Sequence, residues 1–138
     1  MNAPPFFDTN ALVYAFTPAG DKTLAAERIL LNGGVVSIQV LNELTSVSRA
    51  KFKMSWSEVR SVIQGTTMLC PNPIALTYET YLEARRISER YGFSIWDGSI
   101  IASALDAGCT TMYTEDLQHG QVIEGLRIEN PFLEHRAL

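Results

Sequence analysis

The stretch Phe6–Asn10, with the sequence Phe-Phe-Asp-Thr-Asn, decides the fold class of this chain. It closes a short apolar run and a helical pattern follows it directly, so the chain leaves a strand and enters a helix here. Asp8 then lies at the C-terminal edge of that strand, where open α/β sheets gather their ligands. Proline is tolerated only at the beginning or edge of a strand, so Pro4 and Pro5 predict that this strand is short.

Strand and helix patterns alternate through the rest of the sequence. Strands are predicted over residues 6–7, 35–38, 110–113 and 126–128. Helices are predicted over 11–16, 21–32 and 39–53, with a shorter one from about 55 onward, and over 77–90 and 95–105. Gly33 and Gly34 suit the C-terminus of the second helix better than a phosphate-binding loop. This alternation predicts an α/β fold, with a parallel sheet covered by helices on both faces. No repeat or linker divides the chain, so residues 1–138 are expected to form one domain.

The composition limits the classes of function. The 138 residues are 46% hydrophobic and carry a net charge of -4, which gives no general attraction for nucleic acid. Cys70 and Cys109 lack the spacing of a zinc site or a disulfide scaffold, so they are interpreted as reduced thiols of a cytosolic protein. The first residues lack a signal-peptide pattern, and no run approaches the roughly 18 apolar residues of a membrane span. We therefore expect a soluble, cytoplasmic protein without a membrane partner.

Asp97 is the most informative of the acidic residues. The residues three, four and seven positions after it are all apolar, so its carboxylate is predicted inside the apolar arc of a helix. Ser99, Ser103 and Asp106 are predicted to face solvent. An ionised carboxylate in an apolar arc is costly unless a cation or several donors meet it. The alternative is a capping role, because Ser94 precedes Asp97 by three residues.

Three further acids occupy comparable positions. Asp8 and Asp116 follow predicted strands, and Glu43 lies at the edge of an apolar helical stripe. Each also has an ordinary explanation: Asp8 as a helix cap, Asp116 as a turn residue and Glu43 as a side chain that reaches solvent. Two strand exits, together with two helices that flank the same sheet edge, favour one shared site for all four acids.

A cluster of carboxylates suits hard divalent cations. Mg²⁺ and Mn²⁺ prefer oxygen ligands, and a two-ion site can activate water and stabilise the leaving oxygen in phosphodiester hydrolysis. Such a site binds phosphate through the metal, so the negative net charge is no obstacle. Zinc is not expected, because His119 and His135 have no ligand-spaced partner. A nucleophile triad is not expected either, because the sequence has no Gly-x-Ser-x-Gly elbow.

Four motifs stand in order along nearly the whole chain. They are Phe7-Asp8-Thr9-Asn10, Asn42-Glu43-Leu44, Trp96-Asp97-Gly98-Ser99-Ile100-Ile101-Ala102-Ser103-Ala104 and Thr114-Glu115-Asp116-Leu117-Gln118-His119-Gly120. This set resembles the motifs of the PIN-domain nucleases, and the layout is especially similar to the VapC toxins of bacterial type II toxin-antitoxin modules. The resemblance implies a PIN-like three-layer α/β fold, with a short, mostly parallel central sheet flanked by helices.

The resemblance also implies an activity and its partners. It implies an endoribonuclease toxin that depends on Mg²⁺ or Mn²⁺, cleaves RNA, is restrained by a cognate antitoxin and usually forms a homodimer. The implied catalytic and metal-binding acids are Asp8, Glu43, Asp97 and Asp116. On the same resemblance Thr9 and Asn10 would steady the first acid, and Thr114 would orient the last.

Rival functions remain open. A receiver or an aspartyl-phosphate phosphatase also places an aspartate after its first strand. However, Asn10 stands where the phosphatases need a second aspartate, and no lysine follows Lys53 to serve a receiver. A housekeeping PIN-domain nuclease of RNA processing and a non-catalytic PIN-like interaction module are the alternatives within the family. The presence of all four acids argues against the non-catalytic module.

Several other residues have two interpretations each. Arg49, Lys51, Lys53 and Arg60 cluster near the end of the long helix, where they could contact RNA phosphates or simply be solvated cations that favour a helix C-terminus.

Aromatic and polar residues near the motifs are equally ambiguous. Tyr78 and Tyr81 follow helical spacing and could stack bases, although such a stripe is more often core or dimer interface. Glu115 could replace Asp116 as a ligand, but the turn geometry favours Asp116. His119 could assist proton transfer or be an ordinary loop residue.

Overall fold

The computed structural model describes residues 3–133, a range that contains six helices and a four-stranded sheet. The strands are β1 (Phe6–Phe7), β2 (Thr111–Tyr113), β3 (Val122–Ile123) and β4 (Leu126–Glu129). The helices are α1 (Thr9–Phe16), α2 (Asp21–Leu30), α3 (Ile38–Ala50), α4 (Trp56–Leu69), α5 (Tyr78–Tyr91) and α6 (Ile95–Asp106). The α/β class predicted from the sequence is confirmed. None of these helices has the length and apolar character that a membrane span requires.

The sheet is mostly parallel and has the order β1-β2-β4-β3. β1 pairs with β2 and β2 pairs with β4 in parallel, whereas β3 runs antiparallel to β4. Beyond β1, single parallel bridges join Phe6 to Val35 and Ser37 to Ile74. The strand predicted over residues 35–38 is therefore only a bridged segment, because Ser37 already caps α3 by accepting a hydrogen bond from Val40 N. The two-residue β1 is as short as the preceding prolines predict.

The parallel arrangement brings distant parts of the chain to one sheet edge. Asp8 follows β1, and its N–H donates to the Tyr113 carbonyl oxygen at 3.0 Å. Thr114 follows β2, and α3, which carries Glu43, follows the bridged segment. Because parallel strands end at the same side of a sheet, residues as far apart as Asp8 and Thr114, 106 positions in sequence, come into contact.

Gly34 permits the bridged segment to run close to β1. A Cβ atom on Gly34 would lie 2.5 Å from both the Phe7 ring and the Pro5 carbonyl oxygen. Gly33, at a φ of +75°, donates its N–H to the Leu30 carbonyl oxygen at 2.9 Å and so completes the turn after α2. The interpretation of this glycine pair as the end of a helix is confirmed.

Helix α6 packs closely on α5 and is buried on most sides. A Cβ atom on Gly98 would meet the Ala84 carbonyl oxygen at 2.6 Å and would also collide with Ser88 Oγ, so glycine allows the two helices to approach. Ile101 and Ser103 are both fully buried. The prediction that Ser103 faces solvent is wrong, because α6 is enclosed on that side as well and has no continuous wet face.

The β3–β4 hairpin is absent from the sequence prediction. Its turn contains two residues with positive φ, Glu124 at +51° and Gly125 at +93°, which is the pattern of a type I′ turn. A two-residue strand is too short to show alternation, so the sequence pattern predicts only β4. Arg86 of α5 donates to both Glu124 carboxylate oxygens, at 2.9 and 2.7 Å, and ties the hairpin to the helix.

Candidate active site

Asp8 is the buried centre of the candidate site. It is 5% exposed, and its oxygens accept hydrogen bonds from Thr9 N at 2.7 Å and from Thr114 Oγ1 at 2.8 Å. Asp8 is also the N-cap of α1, so a capping role and a site role coincide. Burial raises its pKa to about 6. The bonds from Thr114 and Thr9 lower this pKa, and the carboxylates of Glu43 and Asp116 raise it.

Asn10 and Thr114 connect the first acid to the last. Asn10 Nδ2 donates to Thr114 Oγ1 at 3.2 Å and to Asp116 Oδ2 at 3.1 Å. Thr114 Oγ1 accepts from Asp116 N at 3.1 Å while donating its own proton to Asp8. Asn10 Oδ1 accepts from Glu115 N at 3.3 Å. These contacts fix the loop after β2 against the start of α1, and the contribution of Asn10 and Thr114 to activity stays a prediction.

Glu43 joins the cluster from α3. Gln39 Nε2 donates to Glu43 Oε1 at 3.3 Å and to the Trp96 carbonyl oxygen at 3.0 Å, so one amide links α3 to the first turn of α6. The Glu43 side chain is half-buried. Burial is the largest of the effects that raise the pKa of Glu43. The hydrogen bond from Gln39 lowers this pKa, and the carboxylates of Asp97 and Asp116 raise it further.

Asp97 occupies the first turn of α6. Ser94 caps this helix, and its Oγ accepts from Asp97 N at 3.1 Å. The Asp97 side chain is only half-buried, so it is not enclosed in the core as the apolar-arc argument predicts. Burial raises the pKa of Asp97, the hydrogen bond with Ser94 lowers it, and the Asp116 carboxylate raises it. Asp106, at the other end of the same helix, is exposed, as predicted.

Mutual repulsion identifies the four acids as one electrostatic cluster. Asp8 is affected by Glu43 and Asp116, Glu43 by Asp97 and Asp116, and Asp97 by Asp116. Within residues 3–133 none of the four forms an ion pair with lysine or arginine. The cluster therefore carries uncompensated negative charge, which is the condition that favours binding of a cation.

The donor set suits a hard divalent cation in its chemistry. All four groups are carboxylates, which are ligands that such a cation prefers. The buried Thr9 hydroxyl beside Asp8 has no hydrogen-bond partner among residues 3–133, and a water bound to a nearby ion could supply one. In the described range, however, no three Asp, Glu, His or Cys side chains are arranged to hold a metal ion. A cation would have to draw the carboxylates inward on binding, which the half-buried Glu43 and the exposed Asp116 can do by changing rotamer.

Glu115 is held outside the cluster by hydrogen bonds with Lys22 and Tyr14, a clamp that the sequence does not predict. Lys22 Nζ donates to Glu115 Oε2 at 3.1 Å and to Tyr14 Oη at 3.2 Å, and Tyr14 Oη donates to Glu115 Oε1. Lys22 also lies 4.7 Å from the centre of the Tyr14 ring. Glu115 is thus occupied, which leaves Asp116 as the acid of this loop that joins the cluster. Lys22 and Tyr14 lie on different helices, so no local pattern predicts the clamp.

The structure also shows the surroundings of His119 and of the two exposed tyrosines, for which the sequence leaves two interpretations open. His119 Nδ1 accepts from Asn130 N at 3.0 Å, so its ring secures the end of β4. Tyr78 and Tyr81 are 70% and 48% exposed, with their rings stacked 6.4 Å apart, and they are not core residues. His135 lies outside the described residues.

A short parallel sheet with acids gathered at its carboxyl edge defines a class of protein, and comparison with protein families agrees. The PIN domain matches residues 6–124, so this chain belongs to the PIN domain family. The receiver and aspartyl-phosphatase alternatives are thereby excluded. Comparison with curated proteins gives no significant match.

Solved structures of VapC proteins and of a toxin-antitoxin complex have the same fold. The toxin VapC20 of Mycobacterium tuberculosis, described as cleaving the sarcin-ricin loop, has a TM-score of 0.70 at 14% identity, covering 89% of this chain and 98% of that one. A toxin-antitoxin complex from Klebsiella pneumoniae has a TM-score of 0.72 at 16% identity, covering 93% and 98%. VapBC2 from Rickettsia felis, bound to a DNA fragment from its promoter, has a TM-score of 0.64 at 22% identity, covering 91% and 97%. The predicted VapC-like fold is confirmed.

Proposed function

We propose that this PIN-domain protein is a metal-dependent endoribonuclease that acts as the toxin of a type II toxin-antitoxin system. The observation that carries the proposal is the electrostatic repulsion among the carboxylates of Asp8, Glu43, Asp97 and Asp116, which adds to burial in raising the pKa of the first three. Within residues 3–133 none of the four forms an ion pair with a cation. A polyanionic substrate could not approach this surface unaided. The reaction class that reconciles an acidic cluster with a phosphodiester is metal-assisted hydrolysis.

The four acids would hold Mg²⁺ or Mn²⁺, and such an ion would supply charge neutralisation and water activation at the scissile phosphate. The chain's own groups prepare the site. Thr9 N and Thr114 Oγ1 keep Asp8 in one orientation, and Asn10 keeps Asp116 beside it. The amide of Gln39 restrains Glu43 relative to α6.

The proposed partners are an RNA substrate, a cognate antitoxin and a second copy of this chain. Support comes from structural neighbours that are a toxin and toxin-antitoxin complexes. It also comes from exposed apolar surface on two helices, where Met68 of α4 is 79% exposed and Tyr78 of α5 is 70% exposed. A second copy or another partner could cover these side chains. We place the protein in the cytoplasm, where both RNA and antitoxin would be available.

Cleavage of RNA by the purified protein tests the proposed chemistry. Labelled single-stranded or looped RNA should be cut in Mg²⁺ or Mn²⁺ and left intact in a chelator. Asp97→Asn removes a charge and nearly preserves shape, so we expect the rate to fall about 10²-fold or more with the fold retained. Asp106→Asn on the same helix is the matched control and should cleave as wild type. Full activity of Asp97→Asn would reject the site.

Growth measurements separate the toxin from a housekeeping PIN nuclease. Induced wild-type protein should arrest growth, and co-expression of the adjoining reading frame should relieve the arrest. Asp8→Asn should be harmless, and size-exclusion chromatography should give the mass of a homodimer. Toxicity that persists in Asp8→Asn, or that the adjoining frame fails to relieve, would reject the toxin function and leave a housekeeping nuclease.

A further inference from the structure

A patch of unpaired cations lies where α3 ends and α4 begins. We define this basic patch by four exposed residues, Arg49, Lys51, Lys53 and Arg60. Within residues 3–133 none of them forms an ion pair with a carboxylate. Glu58 is the one acid between residues 44 and 78, and its carboxylate accepts from Ser55 N in a capping box.

Most of the other cations in residues 3–133 form ion pairs with carboxylates. Four other cations in the described range are each bound to a carboxylate: Lys22, Arg85, Arg86 and Arg127. The basic patch is therefore a local concentration of uncompensated positive charge on a chain with a net charge of -4. A local field of this kind attracts a polyanion even when the whole molecule does not.

Trp56 adds an exposed aromatic ring to the patch. Its side chain is 56% exposed, and the Arg49 guanidinium carbon lies 4.6 Å from its ring centroid. Arg60 follows Trp56 by four residues on α4, so the two share a helix face. Cations around an exposed ring are the combination that holds single-stranded nucleic acid, with phosphates on the cations and a base on the ring.

The loop that carries Lys53 is fixed in place. Arg49 Nη1 donates to the Met54 carbonyl oxygen at 2.9 Å, and Met54 N donates to the Ser48 carbonyl oxygen at 3.1 Å. Lys53 has a φ of +55°, a region that favours glycine and costs other residues stability. The rigid loop therefore presents a lysine where glycine would fit better.

A helix-end explanation covers only part of the patch. Attraction to the C-terminus of α3 accounts for Arg49 in its last turn and for Lys51 at its cap. It does not account for Lys53, which lies beyond the helix, or for Arg60, which lies inside α4.

The patch and the acid cluster share a helix. Glu43 precedes Arg49 by six residues on α3, which is roughly 9 Å along the helix axis. We propose that the basic patch binds phosphates of the RNA strand beside the scissile bond, with a base stacked on Trp56. This inference takes its ligand from the proposed function and adds the path of the strand across the protein.

Salt-dependent binding tests the path. The probe is a short labelled single-stranded RNA of mixed sequence, and fluorescence anisotropy is measured in Mg²⁺ on an Asp97→Asn background that binds without cutting. The combined change Lys51→Gln, Lys53→Gln, Arg60→Gln should reduce the slope of log Kobs against log salt by about 2 and weaken binding by about tenfold or more. The matched control Arg85→Gln, Arg90→Gln, Arg127→Gln has the same net charge and should bind as the background protein. Equal slopes in the patch and control variants would overturn the proposal.

Two single changes separate charge and stacking from structure. Lys53→Gly relieves the positive φ, so the melting temperature should hold or rise while the salt slope falls by about 0.7. Trp56→Ala should weaken binding by about fivefold or more. Background-level RNA affinity in both variants would overturn the proposal.

Cleavage and partner binding distinguish this inference from the proposed function. If wild type cuts RNA while the patch variant binds and cuts equally well, the patch assignment is overturned and the nuclease stands. If RNA binding depends on the patch but neither Mg²⁺ nor Mn²⁺ supports cleavage, the patch assignment is upheld and the nuclease fails. If the patch variant loses affinity only for the protein of the adjoining frame, the surface binds protein and the proposal is overturned.

Discussion

At the scale of single residues, opposing effects act on the ionisation of the Asp8 carboxyl group. Burial and the neighbouring acids disfavour its charge, and the two hydrogen bonds from Thr9 and Thr114 favour it. Burial is the largest effect, so the metal-free folded protein pays a penalty whenever Asp8 is ionised.

The pH dependence of stability should reveal this penalty. Because the pKa of Asp8 rises from 3.8 to about 6 on folding, the folded state binds more protons between these values. The free-energy cost of ionising Asp8 in the folded state is therefore absent below about pH 4 and complete above about pH 6. In chelator at pH 7.5 we expect Asp8→Asn to be more stable than wild type by roughly 2–3 kcal/mol, with the difference gone at pH 4. Urea unfolding at both pH values measures this.

Asp106→Asn is the control for that experiment, because Asp106 is exposed and lies at the opposite end of α6 from Asp97. If Asp8→Asn is less stable than wild type at pH 7.5, burial does not dominate the environment of Asp8.

The clamp on Glu115 is the second prediction at this scale. The pair of Lys22 and Glu115 is partly exposed and contributes little to stability, yet it holds the residue next to Asp116. We expect Lys22→Met to raise the Mn²⁺ concentration for half-maximal cleavage about tenfold while the melting temperature moves little, by analogy with other supports of metal ligands. Lys22→Arg should restore most of the affinity for Mn²⁺.

The surface pair of Arg85 and Glu89 offers a comparison, since Arg85→Met breaks an ion pair far from the loop in sequence. Equal Mn²⁺ requirements in Lys22→Met and Arg85→Met would show that the clamp does not position Asp116.

At the scale of elements, the sequence was most informative where a boundary carries its own chemical signal. Capping residues marked the starts of α4 and α6, and Gly33 marked the end of α2. The strand predicted over residues 35–38 forms only single bridges, because its partners Phe6 and Ile74 lie far along the chain and meet it at one residue each. Strand β3 is missing from the prediction because two residues are too few to show alternation.

The candidate site shows the same division. Its four acids could be proposed from the sequence because each follows a strand or lies on a helix beside one sheet edge. Tyr14 and Lys22 could not be proposed, because their contacts with Glu115 span 101 and 93 positions. The sequence also places Asp97 too deep, because a helix buried on most sides has no clear apolar arc from which to judge the burial of one residue.

The packing of α6 on α5 gives a prediction for the glycines. Gly98→Ala should destabilise the fold by about 1–3 kcal/mol, because the added Cβ meets the backbone oxygen of Ala84, which cannot move aside. Gly65→Ala, in helix α4, is the matched control. Its Cβ would meet only the Phe16 ring, at 3.0 Å, and gains about 1 kcal/mol in helix propensity, so its stability should stay near wild type. Thermal unfolding of both variants measures the difference in stability. Equal stabilities would contradict the prediction, because they would mean that α5 and α6 can move apart without cost.

At the scale of the whole molecule, charge of both signs is concentrated and separated. Within residues 3–133 the four acids near the sheet edge form no ion pair with a cation, and the basic patch at the α3–α4 junction forms none with an acid. The net charge of -4 conceals both regions. A cation bound at the acids would neutralise their negative charge, and a polyanion that lies across both regions would neutralise the basic patch. For this reason we propose a metal-dependent ribonuclease.

The most direct test of the central claim, that acids from separate elements form one cation site, is the change in melting temperature on adding Mn²⁺. Binding to the folded state should raise the melting temperature of wild type by about 3–6 °C at a tenfold excess over the dissociation constant. Asp106→Asn should respond as wild type does, and the Asp8→Asn, Asp97→Asn double variant should show almost no shift. An equal shift in the double variant and wild type would contradict the account, because the ion would then bind elsewhere.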